Sequence, residues 1–277
     1  MKTKILVSSD SGIDYISHPH SVASLPSLIK FFEIEKYFDY IDMTSDKFFN
    51  RLRYDKKVKP EIVPMELEYI QNDINIALES YDNVLIIVSN FLDYGLLFSK
   101  LKEAYGDQID FYITPATGFI LASMAIEGDR ILKEKKKTLD DAKAGMDLVY
   151  NNSGMLILNP QIDIHISENV NEEKRVEERR KAKLYIVDSN GEVEIKDRDR
   201  DFIVSIIKNY LDRVAEENVI PFIMYSSKYS YYLKLLESKL LIIHKRYKNI
   251  KKIPASPNLG MKYGENIIVI GYIKNLN

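Results

Sequence analysis

Short apolar segments that alternate with an amphipathic pattern dominate the first half of the chain. Three of them have the length and composition of buried strands: KILVSS (4–9), VLIIVS (84–89) and DFYIT (110–114). Between the first two, apolar residues recur every three or four positions over 67–78, which predicts an amphipathic helix. Strands that alternate with helices in this way indicate a mostly parallel, helix-covered sheet. We therefore expect an α/β domain over residues 1–153.

The second half of the chain shows hairpin signals as well as single strands. KLYIVDSNGEVEIK (183–196) alternates around Asn190-Gly191, a typical turn pair, and predicts a β-hairpin. The segments VIPFIMYS, LLIIHKR and ENIIVIGYI predict further strands. The mixed-charge segment 168–182 is typical of either a solvated helix or a mobile insertion. Together these features predict a smaller α+β domain with a mixed sheet over residues 154–277.

The composition of the 277 residues excludes several kinds of protein. There is no cysteine, which rules out disulfides, thiolate catalysis and cysteine-bound metals. With 39 basic and 41 acidic residues the formal net charge is −2, so no global positive field attracts nucleic acid. No apolar run approaches the roughly 20 residues of a membrane span, and the start MKTKILVSSDS lacks the apolar core of an export signal. We expect a cytoplasmic protein without an integral membrane segment.

Polar residues follow each of the three predicted parallel strands, at positions 8–11, 89–93 and 114–117. In sheets of this kind, ligands bind in the crevice beyond the carboxyl ends of the strands. SSDSG (8–12) has two interpretations at this place. It is either a cradle for a ligand or phosphate, with Asp10 as a candidate nucleophile, or a turn whose side chains cap the next segment. The second is the more frequent role of such residues.

Established motifs of catalysis and cofactor binding are absent from the sequence. It contains no GxGxxG, no GxxxxGK[ST] phosphate loop, no GxSxG and no HExxH. His18 and His20 flank a proline and have no third ligand nearby in sequence, so a surface loop explains them better than a metal site. We therefore predict no cofactor, no metal site and no catalytic residue.

Several segments together resemble the DegV family of bacterial fatty-acid-binding proteins. KILVSSDSG (4–12) is similar to the first strand of the family and its T/S-D-S turn. DYIDMTSDKFFNRL (39–52) resembles the family's D-G-x-D-[IL]-T-x-x-x-F-[YF] segment. The 183–196 hairpin and LGMKYGENIIVIGYI (259–273) are similar to its hairpin and its closing strand. The resemblance covers nearly the whole chain, mainly through the order of the elements.

This resemblance implies a two-domain protein that buries a fatty acid or other long-chain acyl ligand between its domains. Such a protein is non-catalytic, a carrier or sensor, and in the better-known members it presents the ligand carboxylate to a separate kinase subunit. The resemblance also implies a head-group site. In this chain the site would consist of Asp10, Ser11, Glu61, Ile62, Ser89, Asn90, Asp93 and Lys262.

Two turns that hold the carboxylate in the family are altered in this chain. Glu61 and Ile62 replace the Thr and Ser of a T-S-Q-P turn, and Asp93 replaces a serine of the S-S-x-L-S-G-T turn. Lys262 replaces a histidine near the closing glycines. Two like charges about 4 Å apart repel by roughly 4 kcal/mol at an effective dielectric near 20, so these acids would favour a neutral or cationic head group over a carboxylate. The tail is less affected, since each buried methylene contributes roughly 0.8 kcal/mol.

Two further hypotheses compete with lipid binding. The first is an interaction or regulatory protein that kept the scaffold but closed its cavity with bulky tyrosine and phenylalanine side chains. The second is an enzyme that uses Asp10, Asp93 and Glu61 as an acidic metal cluster for phosphoryl chemistry, which requires the three carboxylates to converge. We rank the enzyme last.

Overall fold

A computed structural model of the protein describes residues 2–32, 34–55, 60–159, 182–195, 201–214, 218–227 and 231–274. Three β-sheets lie within these residues, with helices packed on them. The charged segment predicted over 168–182 falls outside the described residues except for Ala182, which is buried.

The first sheet is parallel and has the strand order β2-β1-β6-β7. Its strands are β1 (Thr3–Ser8), β2 (Val22–Leu25), β6 (Asn83–Ser89) and β7 (Ile109–Thr114). The central strands β1 and β6 are almost wholly buried, which explains why their sequences are near-continuous apolar runs. The three predicted parallel strands are confirmed. The short strand β2 is a fourth, which the sequence analysis did not predict.

The second sheet is a small antiparallel unit with the order β4-β3-β5. It consists of β3 (Ser27–Phe31), β4 (Glu35–Phe38) and β5 (Pro60–Pro64), and helix α1 (Ser45–Tyr54) lies between β4 and β5 in sequence. The loop from β4 to α1 contains Asp39, and β3 follows β2 after a single residue. The small sheet therefore lies directly beside one edge of the parallel sheet.

Four helices complete the first half: α2 (Leu67–Leu78), α3 (Gly95–Tyr105), α4 (Gly118–Leu132) and α5 (Leu139–Asn151). The amphipathic helix predicted over 67–78 is confirmed as α2, which buries Ile70 and Ile74. Helix α5 begins with a capping box. The Thr138 hydroxyl accepts from the Asp141 N–H at 3.2 Å, and the Asp141 carboxylate accepts from the Thr138 N–H at 2.8 Å.

The third sheet is mixed, with the order β10-β9-β8-β13-β11-β12. Its strands are β8 (Ser153–Asn159), β9 (Lys183–Asp188), β10 (Gly191–Glu194), β11 (Val219–Tyr225), β12 (Lys251–Pro254) and β13 (Ile268–Lys274). Its pairs are antiparallel except β11 with β12. The predicted hairpin is confirmed as β9–β10, but its two-residue turn is Ser189-Asn190, one position earlier than predicted.

One strand prediction in the second half is wrong. LLIIHKR belongs to helix α7 (Tyr231–Ile243) and the turn after it; the other helices of this half are α6 (Phe202–Val214) and α8 (Pro257–Tyr263). Leu233, Leu236 and Leu240 are buried along one face of α7. Because a short apolar run has the same composition in a buried strand and a buried helix, only the residues before it distinguish the two.

One hydrophobic cluster connects the parallel sheet to the mixed sheet. It contains Ile5 and Val7 of β1, Leu121 of α4, and Met155 and Ile157 of β8. Helix α4 contacts both β1 and β11, so it lies between the two sheets. Strand β8 starts the mixed sheet at Ser153, next to the boundary expected between residues 153 and 154. The α/β fold class with its two kinds of sheet is confirmed, and the division into two domains stays a prediction.

Candidate ligand site at the carboxyl ends of the parallel strands

Buried polar side chains meet where β1 and β6 end and α4 begins. Asp10, only 1% exposed, lies in a short 3-10 turn after β1. Its carboxylate accepts hydrogen bonds from the Ser8 hydroxyl and, at 3.1 Å, from the Thr117 hydroxyl. The Ser8 hydroxyl in turn accepts from the Ser89 N–H at 3.4 Å. The three polar segments predicted to follow the parallel strands, 8–11, 89–93 and 114–117, therefore converge in one place.

A second buried carboxyl group extends this arrangement towards the small antiparallel sheet. Asp39, only 3% exposed, accepts a hydrogen bond of 2.5 Å from the Ser9 hydroxyl. The Ser9 hydroxyl also accepts from the Ser27 N–H at 3.2 Å. We call the set Ser8, Ser9, Asp10, Ser27, Asp39, Ser89 and Thr117 the strand-end cluster. All of its members are buried.

Burial controls the protonation of the two acids. It raises the pKa of Asp10 to about 6, although hydrogen bonds from Ser8, Ser89 and Thr117 oppose the rise. Burial likewise raises the pKa of Asp39 to about 7; the Ser9 hydroxyl opposes this, and the charge of Asp10 adds to it. Neither acid forms an ion pair with a lysine or arginine in the described part of the chain. The cluster therefore changes charge close to neutral pH.

Ser11 supports the turn rather than the carboxyl groups. Its buried hydroxyl accepts from the Ile13 N–H at 3.2 Å, and Gly12 takes a left-handed conformation with φ of 65°. SSDSG is thus a hydrogen-bonded turn, as its second interpretation predicts, and it holds Asp10 inside a polar cluster. The ligand cradle of the first interpretation stays a prediction.

The turn after β6 divides its polar residues between the interior and the surface. Ser89 is buried in the strand-end cluster, and its hydroxyl accepts from the Phe91 N–H at 3.3 Å. Asn90 and Asp93 are exposed. The Asp93 carboxylate accepts from the Gly95 N–H at 2.9 Å, so it stabilises the start of α3. Its charge is solvated at the surface.

Strand β5 places Glu61 and Ile62 on opposite faces. The Glu61 side chain is 66% exposed and lies 3.6 Å from the Lys30 ammonium, whereas Ile62 packs against the central hydrophobic cluster. Asp10, Asp93 and Glu61 therefore lie in different environments. No group of three acidic or histidine side chains that could hold a metal ion occurs among the described residues.

Lys262 brings the second half of the chain beside the turn after β6. Its ammonium forms a 2.5 Å ion pair with Glu192 of β10 and lies 5.2 Å from the centre of the Phe91 ring. It is half-exposed, so it stands at the outside of the turn. Of the eight residues predicted for the head-group site, the structure joins Asp10 and Ser89 by hydrogen bonds, with Ser11 in the same turn.

Sequence reasoning did not select Asp39 or Thr117 as site residues. Asp39 lies in the DYID segment that resembles the family motif, and Thr117 lies in the predicted polar rim at 114–117. Both residues lie in segments that the sequence analysis singled out, but nothing in those segments indicates that either side chain faces Asp10. Only the packing of the small sheet and α4 against the end of β1 brings them there.

Apolar side chains surround the strand-end cluster. Ala116 and Ile120 flank Thr117 in sequence and belong to the central hydrophobic cluster, as does Leu259 of α8. Gly118 begins α4 with φ of 56°, and a Cβ atom there would overlap the Met224 sulfur. The arrangement offers buried hydroxyl donors and two carboxyl groups next to an apolar interior. Such a site can hold the polar end of a ligand whose remainder is apolar.

Comparison with known proteins gives one kind of match. No protein-family model and no curated protein matches the chain, and among the described residues no helix is long and apolar enough to cross a membrane. Solved structures do match over the full length. A fatty-acid-binding DegV family protein from Thermus thermophilus has a TM-score of 0.74 at 11% identity, covering 99% of this chain and 100% of its own.

Two other solved structures match the chain over its full length in the same way. A fatty-acid-binding DegV family protein from Streptococcus agalactiae has a TM-score of 0.74 at 11% identity, with 100% of both chains covered. DegV of Bacillus subtilis, a fatty-acid-binding protein, has a TM-score of 0.71 at 14% identity, covering 99% of this chain and 100% of its own. The chain therefore has the fold of the DegV family.

Proposed function

We propose that this protein binds a long-chain acyl ligand, a fatty acid or a related lipid, and acts as a carrier or sensor rather than as an enzyme. The strand-end cluster carries the proposal. It is a buried set of hydrogen-bonding side chains that borders an apolar interior shared by two sheets. The solved structures of this fold include fatty-acid-binding proteins, one of them loaded with heptadecanoic acid. Burial of each methylene of a tail would contribute roughly 0.8 kcal/mol.

The two buried acids restrict the head group that the cluster can accept. An ionised ligand carboxylate within about 4 Å of an ionised Asp10 would be repelled by roughly 4 kcal/mol at an effective dielectric near 20. With pKa values raised to about 6 and about 7, both acids are protonated at mildly acidic pH and can then donate hydrogen bonds. A fatty acid would therefore bind more tightly at pH 5.5 than at pH 8, whereas a neutral head group would show little such dependence.

The proposal includes a partner and a location. Because a protein of this kind would present a bound head group rather than transform it, a separate kinase subunit is the proposed partner. Such a kinase uses ATP, so the proposed location is the cytoplasm. Lys262 and Glu192 lie at the surface beside the turn after β6, where such a partner would approach the head group. A pull-down with the candidate kinase would test this contact.

Fluorescence titration with cis-parinaric acid tests the binding proposal directly. At pH 5.5, where Asp10 is largely protonated, the wild type should bind the probe with saturation, and Thr117→Val should weaken binding roughly tenfold because the strand-end cluster loses one buried hydroxyl. Asp93→Ala is the matched control, since Asp93 is exposed and bonds only to the start of α3. Saturable binding that Thr117→Val leaves unchanged would remove the strand-end cluster from the proposal.

A specific feature favours the ligand-free alternative. The rings of Phe31, Phe48 and Phe49 are fully buried in the central hydrophobic cluster, and Phe49 lies so close to Gly260 that a Cβ there would overlap the ring. These aromatic side chains fill part of the central hydrophobic cluster and so reduce the interior volume left for an acyl chain. If the protein binds no acyl probe at any pH, this scaffold role becomes the better account.

A further inference from the structure

A separate cleft lies at the opposite end of the parallel sheet, where β1 and β6 begin. Its volume is about 820 Å³, and its walls come from the start of β1, the loops before β2 and β6, and the end of α4. Its lining includes Lys2, Thr3, His20, Tyr81 and Lys133. Since the strand-end cluster lies at the carboxyl ends of the same strands, the cleft is distinct from it.

Positive charge at this cleft exceeds the negative charge available to balance it. Lys2 lines the cleft, and its ammonium has no carboxylate partner among the described residues. Lys4 adjoins the cleft; its ammonium donates to the His20 carbonyl at 2.6 Å and lies 5.6 Å from the centre of the Tyr81 ring. Burial lowers the pKa of Lys4, and the charge of Asp129 opposes this shift. An anion that binds beside a partly buried ammonium stabilises its charged form further.

Two acids lie at the cleft, and one of them, Asp129, belongs to its lining. Asp129 is buried, accepts from the Ser21 hydroxyl and forms a 2.5 Å ion pair with Lys133. Asp82 accepts from the Lys2 N–H at 2.6 Å. Among the described residues at this cleft, the three lysines Lys2, Lys4 and Lys133 exceed the two acids by one, so one positive charge is in surplus.

A buried hydroxyl in the cleft wall lacks a hydrogen-bond partner. Thr3 is 8% exposed, and its Oγ1 atom is buried without a hydrogen-bond partner among the described residues. Buried hydroxyl groups are nearly always paired, because an unpaired one loses its hydrogen bonds to water without replacement. Thr3 lies in β1, whose rigid pairing to β6 fixes its position. The cleft therefore combines an unpaired hydroxyl with one surplus positive charge.

We propose that this cleft binds a small phosphate-type oxyanion. The Lys2 ammonium would contact it, Lys4 would add positive potential, and the Thr3 side chain would rotate so that its hydroxyl donates to one of the oxygens. A phosphate-type ion suits this set because its several oxygens accept from donors on different sides, and lysine is a common point-charge partner of phosphate. The proposal does not depend on acyl binding at the other end of the sheet.

Isothermal titration calorimetry at low ionic strength tests the proposal, with sodium pyrophosphate as the probe. The wild type should bind one pyrophosphate, and Lys2→Met and Thr3→Val should each weaken binding by about tenfold, because each removes one hydrogen bond to a charged group. Lys100→Met is the matched control, since it removes one exposed lysine from α3. This helix packs beside the edge strand β7, whereas Lys100 is not among the residues that line the cleft.

Three outcomes would overturn the proposal. They are no binding of pyrophosphate by the wild type, an equal loss in Lys2→Met and Lys100→Met, and unchanged binding by Lys2→Met. An equal loss would mean that pyrophosphate responds to surface charge in general. Thermal unfolding without ligand checks that each variant is folded. If Thr3→Val is unfolded, the comparison of Lys2→Met with Lys100→Met alone tests the proposal.

Discussion

The replacement Asp39→Asn should change how the stability of the protein depends on pH. The pKa of Asp39 is raised to about 7 in the folded state, against a value near 3.9 in an unfolded chain. Between these values the folded state holds a proton that the unfolded state has released, so the contribution of Asp39 is most favourable below pH 4 and is lost as pH rises towards 7. Asparagine keeps the acceptor for the Ser9 hydroxyl but cannot ionise.

The expected magnitude follows from the pH interval. From pH 5 upwards Asp39 is ionised in the unfolded state and mostly protonated in the folded state, so each pH unit costs about 1.4 kcal/mol until the loss levels off near 3 kcal/mol above the folded-state pKa of about 7. The wild type should therefore lose about 3 kcal/mol more than Asp39→Asn between pH 5 and pH 8. Asp10, with its pKa raised to about 6, contributes a similar fall in both proteins.

Urea unfolding at pH 5, 6, 7 and 8 measures this difference. The free energy of unfolding of Asp39→Asn should approach and then exceed that of the wild type as pH rises. Asp93→Asn is the control, because Asp93 is exposed and its replacement should leave the shape of the pH profile unchanged. Parallel profiles for wild type and Asp39→Asn would refute the reasoning and would mean that Asp39 ionises in the folded state as it does in water.

Three further substitutions test the local structure, each by urea unfolding at pH 7. Gly118→Ala should destabilise the fold by about 1–3 kcal/mol, because residue 118 has φ of 56° and a Cβ would overlap Met224; no loss would contradict this start of α4. Thr138→Ala should cost about 1 kcal/mol through loss of the α5 cap, and Thr138→Ser should restore most of it. Tyr210→Phe should cost about 1–3 kcal/mol because it leaves the buried His244 ring nitrogen without its 2.8 Å hydrogen bond; an unchanged stability would contradict that pairing.

The elements of the fold follow from the sequence wherever periodicity and burial agree. The continuous apolar runs of β1 and β6 and the helical spacing of α2 are patterns that burial on both faces or on one face produces. LLIIHKR shows the limit of this reasoning. A run of four apolar residues fits a buried strand and the end of a buried helix equally well, and here the preceding residues of α7 determine the outcome.

The sequence indicates which polar segments converge better than it indicates which way each side chain faces. The rule that ligands bind beyond the carboxyl ends of parallel strands locates Asp10 and Ser89. It cannot tell which way a side chain on an edge strand faces, and Glu61 on β5 points to solvent. Nor can it pair residues that are distant in sequence, such as Ser9 with Asp39, because that contact exists only once the small sheet packs beside β1.

Native mass spectrometry of the protein, purified without removal of lipid, tests the central claim most directly. We predict a bound species whose mass corresponds to one long-chain acyl molecule, lost on lipid extraction and reduced in Thr117→Val but retained in Asp93→Ala. A spectrum that shows only the bare chain, together with no saturable binding of added fatty acid at pH 5.5, would contradict acyl binding and leave the ligand-free scaffold as the account of this protein.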